Sequence, residues 1–379
     1  MRNLIKNGLV YINAARSFLP MDILTEGEKI VKVSPRGELD SYGAEITDAS
    51  GRLLVSGFID VHTHGIAGYD FLFADNDALK KMSAAYLSHG VTCVMPTLAS
   101  GRFEDICSAI KRINGFSAEN GADFCGVHLE GRYLSPEKRG AHAAELLSEL
   151  DPYELDVLFE GFSRAIHISA AFELDTDGSF IKKALEIGAT LSLGHTSANY
   201  KEALDCERAG VTAYTHLYNA MPPLHHRDGG PVAACLMGNS YAELICDGIH
   251  ISPEVVALTQ KVKGERLVLI SDSMEATDCA DGEYSIAGNP VTVKNKIART
   301  FDGALAGSTL TLDAALKNLM KFSGISLEEA ILSVTEAPAK EVGIFEEYGS
   351  LDVGKRADIL FLDGKDLSID RVILGGYVL

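Results

Sequence analysis

Two histidines stand one residue apart in the segment GFIDVHTHG, directly after an apolar run. Side chains two residues apart on a β-strand point to the same side, so His62 and His64 can contact one ion together. Neutral imidazole is a ligand for Zn²⁺, Fe²⁺, Ni²⁺ and Cu²⁺. An isolated pair of this kind is more often structural, and two ligands do not hold a metal ion. Further ligands must come from elsewhere in the chain.

Other residues of this chemical type follow later apolar segments. Glu130 ends DFCGVHLE, His195 ends ATLSLGH, and His216 lies in VTAYTHL. Together with the histidine pair they predict a metal site in which the carboxylate neutralises part of the charge. Asp272 ends RLVLISD and is placed to take a proton from water and return it to a leaving group.

Three further histidines are interpreted as structural. Glu130 is nearer the end of its segment than His128, so we expect His128 to lie one layer deeper. His89 and His167 are also more typical of structural positions. None of the three is predicted to bind a metal ion.

Eight apolar segments alternate with helical patterns, and the ligand-type residues end six of them. The segments span 57–64, 90–97, 123–130, 165–170, 189–195, 211–217, 242–250 and 266–272. This order predicts an α/β fold, a (β/α)8 TIM-like barrel, in which chemistry collects at the carboxyl ends of the strands. A doubly wound open sheet is the alternative, but no GxGxxG pattern follows the first strand. Ser308 is expected to cap the last long helix.

Both ends of the chain read as short strands separated by turns. They predict a small β-sandwich domain formed from residues 1–56 and 345–379. The barrel would then span residues 57–344.

The composition narrows the class of protein. Its 34 basic and 53 acidic residues give a formal net charge of −19, which argues against a nucleic-acid or anionic-membrane surface. The seven cysteines are scattered and show no CxxC spacing, and no signal-peptide pattern or long apolar run is present. We therefore expect reduced cysteines and a cytoplasmic location.

The segment THLYNAMPPLHHRDGG predicts an anion pocket in this acidic chain. Asn219 and Ala220 can offer polar and backbone groups, and Arg227 is suited to phosphate or carboxylate. His250 is expected to join them. The alternative is a plain surface loop. His142, in KRGAHAAE, is expected over the mouth of the barrel, where it is either solvated or functional.

These motifs together resemble the amidohydrolase superfamily, and within it the deacetylases of amino-sugar phosphates. The resemblance rests on GFIDVHTHG, GVHLEG, SPEKRGAH, LGHT, THLYNAM, LHHR, DGIH, SDSMEAT, LAGSTLTLDAALKNL and TEAPA. It covers most of the chain, including both β-rich ends.

The resemblance implies a role for each matching residue. The principal metal ligands would be Glu130, His195 and His216, while His62 and His64 would bind a second ion that Glu130 bridges. Asp272 would be the acid–base residue, and His142 would polarise the acetyl carbonyl. The substrate-binding residues would be Ala141, His142, Asn219, Ala220, Arg227, His250, Leu305, Ala306 and Gly307. In the family the arginine crosses from a neighbouring subunit, which implies a homodimer.

The expected reaction is metal-dependent hydrolysis of the acetamide of N-acetyl-D-glucosamine 6-phosphate, with one or two Zn or Fe ions per subunit. Alternatives are the galactosamine epimer, another amidohydrolase reaction, or a barrel that binds amino-sugar phosphates without catalysis. The last is disfavoured because no ligand is missing.

Overall fold

A computed structural model describes residues 2–41 and 43–379. In this part of the chain, eight parallel strands form a nearly closed barrel surrounded by helices, which confirms the predicted (β/α)8 architecture. The barrel strands are β1 (Phe58–Thr63), β2 (Val91–Leu98), β3 (Gly126–Glu130), β4 (Ala165–Ala170), β5 (Thr190–Leu193), β6 (Ala213–Tyr214), β7 (Tyr241–Ile245) and β8 (Leu267–Ile270).

The first and last barrel strands meet through loop backbone rather than through a regular ladder in the described residues. The Asp272 amide donates to the His62 carbonyl oxygen at 2.9 Å, and the His64 amide donates to the Ser273 carbonyl oxygen at 2.8 Å. The barrel is thus closed by residues that were singled out for their chemistry.

The described residues form ten α-helices. They are α1 (Asn76–Ser88), α2 (Phe103–Gly115), α3 (Pro152–Leu158), α4 (Ser179–Glu186), α5 (Tyr200–Ala209), α6 (Gly230–Met237), α7 (Pro253–Lys263), α8 (Leu312–Ser323), α9 (Leu327–Ala330) and α10 (Glu336–Glu341). Local signals explain several starts. For example, Asn199 and Glu202 form a reciprocal capping box at α5.

The predicted cap of α8 is wrong. The helix begins at Leu312, and its N-cap position is Thr311, not Ser308. The Ser308 hydroxyl instead donates to the Ser271 carbonyl oxygen, and the Ser308 amide donates to the Asp272 carbonyl oxygen at 2.7 Å. Ser308 therefore supports the loop after β8.

Strands from both chain ends form two packed sheets. One sheet contains Arg2–Lys6, Met21–Glu26, Lys29–Pro35 and Glu45–Asp48, and the other contains Leu9–Ile12, Ser17–Leu19, Leu53–Ser56, Ile359–Leu362, Ile369–Leu374 and Tyr377–Val378. Ile5 and Ile23 of the first sheet share a buried cluster with Val10, Leu54 and Ile359 of the second. This is the expected β-sandwich, and we propose the predicted boundaries at residues 56/57 and 344/345 for the two domains.

A three-stranded antiparallel sheet between β8 and α8 was not predicted. It contains Gly282–Ile286, Asn289–Lys294 and Ile297–Arg299. Ile286, Val291 and Val293 pack with Met274 and Ala306 in a separate apolar cluster. The sheet is thus anchored to the loops that carry the site.

Three shorter strands, Gly65–Ile66, Tyr69–Asp70 and Asp123–Phe124, complete the strands of the described chain. Within the described residues, no helix is long and apolar enough to cross a membrane. The seven cysteines are free thiols.

Candidate active site

Glu130, at the carboxyl end of β3, lies between two pairs of histidines. Its Oε1 is 3.2 Å from His195 Nε2 and 3.0 Å from His216 Nε2. Its Oε2 is 3.4 Å from His62 Nε2 and 3.0 Å from His64 Nε2. One carboxylate therefore has a separate oxygen facing each pair, which is the arrangement of a bridging ligand.

Asp272 completes the second group. Its Oδ1 is 3.3 Å from His64 Nε2 and 3.5 Å from His62 Nε2. The ligand atoms of His62, His64 and Asp272 all lie within 4.8 Å of one another, as do those of Glu130, His195 and His216. Residues from five strand ends, far apart in sequence, thus gather as predicted.

Unusual backbone geometry aims three of these side chains. His195, His216 and Asp272 have φ angles of 46°, 31° and 46°, in the left-handed region that residues other than glycine rarely adopt. Such strain is concentrated at functional sites, where the surrounding structure holds it. The His195 Nδ1–H also donates to the Lys138 carbonyl oxygen at 2.8 Å, so its Nε2 presents a lone pair to the site.

The carboxylates strongly perturb the buried imidazoles. Burial lowers the pKa of His64, but hydrogen bonds with Asp272 and Glu130 override it and raise this pKa to about 9. Burial also lowers the pKa of His216, and the hydrogen bond with Glu130 again reverses the direction. The site is therefore built to hold positive charge among its nitrogen and oxygen atoms.

This donor set fits divalent metal ions. In the described part of the chain, His62 Nε2 has no hydrogen-bond partner although it is buried. A metal ion that replaces the imidazole protons would bind such nitrogen atoms and would neutralise the carboxylates. Imidazole with carboxylate suits divalent transition-metal ions, and each of the two groups offers three ligand atoms that could hold one.

A cavity of about 320 Å³ opens above the two groups. Most residues predicted to bind substrate line it. They are Ala141, His142, Asn219, Ala220, His250, Leu305 and Gly307. The cavity also exposes His64, Glu130, His195, His216 and Asp272.

His142 is fixed as a hydrogen-bond donor toward this cavity. Its Nδ1 accepts the Ser100 amide N–H at 3.2 Å and lies 2.9 Å from the Ser100 hydroxyl. A ring nitrogen that accepts an N–H carries no proton, so the proton is on Nε2. Burial lowers the pKa of His142 to about 3, which keeps the ring neutral. Its Nε2 is 3.9 Å from Glu130 Oε2.

His250 and Asn219 are held by contacts near the strand ends. The Asp247 carboxylate is 2.6 Å from His250 Nδ1 and also accepts the His250 amide. The Asn219 side-chain amide donates to the His216 carbonyl oxygen at 3.2 Å. Asp247 therefore orients His250, and the hydrogen bond from Asn219 ties its side chain to the backbone of His216.

Two predicted substrate residues do not line the cavity of their own chain. Ala306 is buried under the three-stranded sheet. Arg227 is exposed, and its guanidinium is 2.8 Å from His226 Nε2. Arg227 therefore does not face the cavity of its own chain, and its role at the cavity of a neighbouring subunit remains a prediction.

The histidines that were interpreted as structural lie outside the two groups. His128 is one layer deeper, where Thr97 and Ser169 hydroxyls contact its two ring nitrogens. His89 pairs with Asp278 at the edge of the barrel.

Several residues of the site were not predicted. Ser100 holds the ring of His142, and the Lys138 carbonyl oxygen holds the ring of His195. Ile286 lines the cavity, and Glu243 contacts His62. Only Glu243 had a sequence signal, because a carboxylate inside the apolar segment AELICDG is unusual. The others act through backbone groups or loops that pattern alone does not place.

Comparison with known proteins supports the same family. The amidohydrolase family matches residues 53–379. The chain is 35% identical over 343 residues to N-acetylgalactosamine-6-phosphate deacetylase of Escherichia coli O157:H7, covering 89% of this chain and 90% of that protein. It is 33% identical over 366 residues to N-acetylglucosamine-6-phosphate deacetylase of Bacillus subtilis (strain 168), covering 94% and 89%.

A solved structure is similar over its whole length. The crystal structure of N-acetylglucosamine-6-phosphate deacetylase from Pasteurella multocida superposes with a TM-score of 0.93, at 28% identity, covering 100% of both chains.

Proposed function

Because the chain belongs to the amidohydrolase family, we propose that it hydrolyses the acetamide of N-acetyl-D-glucosamine 6-phosphate to D-glucosamine 6-phosphate and acetate, in amino-sugar metabolism. The observation that carries the proposal is Glu130, with two imidazoles on each of its oxygens beneath a cavity. Similarity to two sugar-phosphate deacetylases over about nine-tenths of the chain gives the substrate class.

The metal ligands would be His62, His64, Glu130, His195 and His216. When bound, a divalent ion, Zn or Fe, would lower the pKa of water and polarise the acetyl carbonyl. The residues of the chain hold its ligand atoms in place through backbone strain, tautomer control and burial.

Asp272 is the acid–base residue of this reaction. Its carboxylate accepts a proton as the water oxygen bonds to the acetyl carbon, and it delivers that proton to the amine nitrogen as the C–N bond breaks. Hydrogen bonding with His64 overrides the effect of burial and lowers the pKa of Asp272, so the carboxylate begins the cycle ionised.

His142 stabilises the oxyanion that develops on the acetyl oxygen. Its neutral ring presents Nε2–H to the cavity, and Ser100 prevents the opposite tautomer. A donor fixed before reaction stabilises developing charge without reorganisation.

The sugar phosphate occupies the upper cavity. His250, Asn219 and the Ala220 backbone hold the phosphate, with Arg227 of a second subunit completing the site in a homodimer. Ala141, Leu305 and Gly307, which line the cavity, would contact the sugar, and Ala306 packs beneath them. We also propose a cytoplasmic location, because the free thiols suit a reducing compartment.

A second candidate is N-acetyl-D-galactosamine 6-phosphate. It is favoured by one observation, the 35% identity to the Escherichia coli O157:H7 deacetylase of that sugar. The two epimers differ only in the orientation of one hydroxyl, so the same residues can perform both reactions.

The test is acetate release by metal-stripped protein titrated with Zn²⁺ or Fe²⁺. The two phosphorylated epimers and unphosphorylated N-acetyl-D-glucosamine are compared side by side. We expect metal-dependent release from the phosphorylated sugars and little from the free sugar. Tight sugar-phosphate binding with no acetate release would instead identify a binding protein.

A further inference from the structure

Another polar cluster, distinct from the two groups at the strand ends, lies beneath them inside the barrel. It consists of His167 on β4, Glu243 on β7 and Glu341 at the end of α10, with ligand atoms all within 4.8 Å of one another. The side chains of His167 and Glu243 are fully buried, and Glu341 is only 2% exposed. The cluster does not line the cavity, so direct contact with substrate does not explain it.

Glu243 is the centre of this cluster. Its Oε2 is 3.0 Å from His62 Nδ1, and its Oε1 is 3.4 Å from His167 Nε2. The same Oε2 lies 3.4 Å from the His216 amide nitrogen, a longer contact. A fully buried carboxylate costs several kcal/mol unless it is paired, roughly as for any ion moved out of water. Its strongest pairing in the described chain is with His62.

The other members of the cluster have different roles. His167 is fixed from its far side by the Thr190 hydroxyl, 2.7 Å from His167 Nδ1. Burial and the nearby Glu243 raise the pKa of Glu341 well above its usual value.

The contact with Glu243 decides which nitrogen of His62 faces the metal site. Glu243 Oε2 lies 3.0 Å from Nδ1 of His62 and so occupies that nitrogen, which leaves Nε2 as the nitrogen directed at the metal site. That Nε2 is 3.4 Å from Glu130 Oε2 and 3.5 Å from Asp272 Oδ1. In the described chain, His64 Nδ1 has no such partner, so His62 is the anchored member of the first-strand pair.

We propose that Glu243 is a positioning residue that fixes His62 and thereby sets the affinity with which His62 and His64 bind their metal ion. This inference rests on the metal centre of the proposed function. Partners of this kind orient ligating histidines and raise their basicity, and their loss typically costs about 10–100-fold in metal affinity.

The test measures metal binding on the full chain rather than turnover. Glu243→Gln keeps the shape but removes the charge, and Glu243→Leu removes the contact. Glu341→Gln is the matched control, because it lies in the same buried cluster and does not contact His62. Zinc bound per chain is measured by elemental analysis across a graded series of chelator concentrations. A His64→Asn variant identifies which class of bound zinc is held by His62 and His64.

In the parent we expect two classes of zinc. In both Glu243 variants the class lost in His64→Asn should weaken about 10–100-fold, while the other class changes much less. Glu341→Gln should bind like the parent. Thermal unfolding checks each fold, and if Glu243→Leu does not fold, Glu243→Gln alone decides.

Three results would overturn the inference. They are unchanged zinc affinity in a folded Glu243 variant, an equal loss in Glu341→Gln, and a parent that binds a single ion. Failure of the proposed function is a separate result, since normal zinc binding without acetate release would refute that function and leave the role of Glu243 standing.

Discussion

We predict that the charged ring of His89 stabilises the fold and that this contribution depends on pH. Its Nε2 is 2.7 Å from Asp278 Oδ2, on the loop after β8, and its Nδ1 is 3.2 Å from Asp313 Oδ1, in the first turn of α8. Lys317 lies 4.0 Å from the other oxygen of Asp313. His89 therefore ties the end of α1 to the loop that follows Asp272.

The size of the His89 contribution to the unfolding free energy follows from the shift in its pKa. The hydrogen bond with Asp313, joined by that with Asp278, raises the pKa of His89 from 6.5 to about 9 against the opposing effect of burial. Each pKa unit corresponds to about 1.36 kcal/mol, which gives an upper value of about 3 kcal/mol. The ring is 23% exposed, and solvent screening reduces the expected value to about 1–3 kcal/mol.

The direction of the pH dependence follows from the raised pKa of His89. The unfolded chain binds this proton only below about pH 6.5, whereas the folded chain keeps it to about pH 9. The stabilisation is fully present below about pH 6.5 and is lost as the pH rises through about 9. Burial raises the pKa of Asp313, but the hydrogen bond with His89 overrides it and lowers this pKa below its usual 3.8. Asp313 therefore makes the unfolding free energy depend on pH only below about pH 3.8.

The assay compares urea unfolding of the parent and His89→Gln at about pH 6, 7.5 and 9.5. The difference in unfolding free energy should be largest near pH 6 and should nearly vanish above pH 9. His226→Gln, a change at an exposed histidine, is the control and should show little effect. A difference that stays constant over this range, or a His89 resonance titrating near 6.5, would refute the reasoning.

Three further predictions concern the site. Asp272→Asn should lower kcat by about 10²–10⁴-fold with bound zinc near the parental amount, and parental turnover would exclude the acid–base role. Ser100→Ala should lower kcat about tenfold with little change in KM, because one of two contacts that hold the His142 tautomer is lost; a change in KM alone would contradict this. Arg227→Ala should raise KM for the phosphorylated sugar about 10–100-fold and leave the free sugar unaffected, and equal effects on both would remove Arg227 from the phosphate site.

The architecture and the convergence of the candidate ligand residues were predictable because they depend on local pattern. Apolar segments of strand length, alternating with helical spacing, defined the barrel, and its geometry placed the last residues of the strands together. His62 and Glu130 are separated by 68 positions but converge because both end parallel strands. The depth of His128 followed from its position two residues before Glu130.

Features that depend on tertiary contacts were not predictable. The sheet at Gly282–Arg299 has only a short alternating pattern of apolar residues. Its position follows from tertiary packing of these residues against Ala306, which the sequence pattern does not show. Ser308 has a residue type favoured at helix starts, yet the Ser271 carbonyl takes its hydroxyl. Glu243 meets His62 across 181 positions of sequence, a distance over which no local rule operates.

The hydrogen bonds that close the barrel have a mechanical consequence. Strands β1 and β8 are joined where the Asp272 amide meets the His62 carbonyl and the His64 amide meets the Ser273 carbonyl. A motion that separates these strands would therefore also move the Asp272 carboxylate away from the His62 and His64 rings. The closure of the barrel and the alignment of these three side chains thus depend on the same two backbone hydrogen bonds.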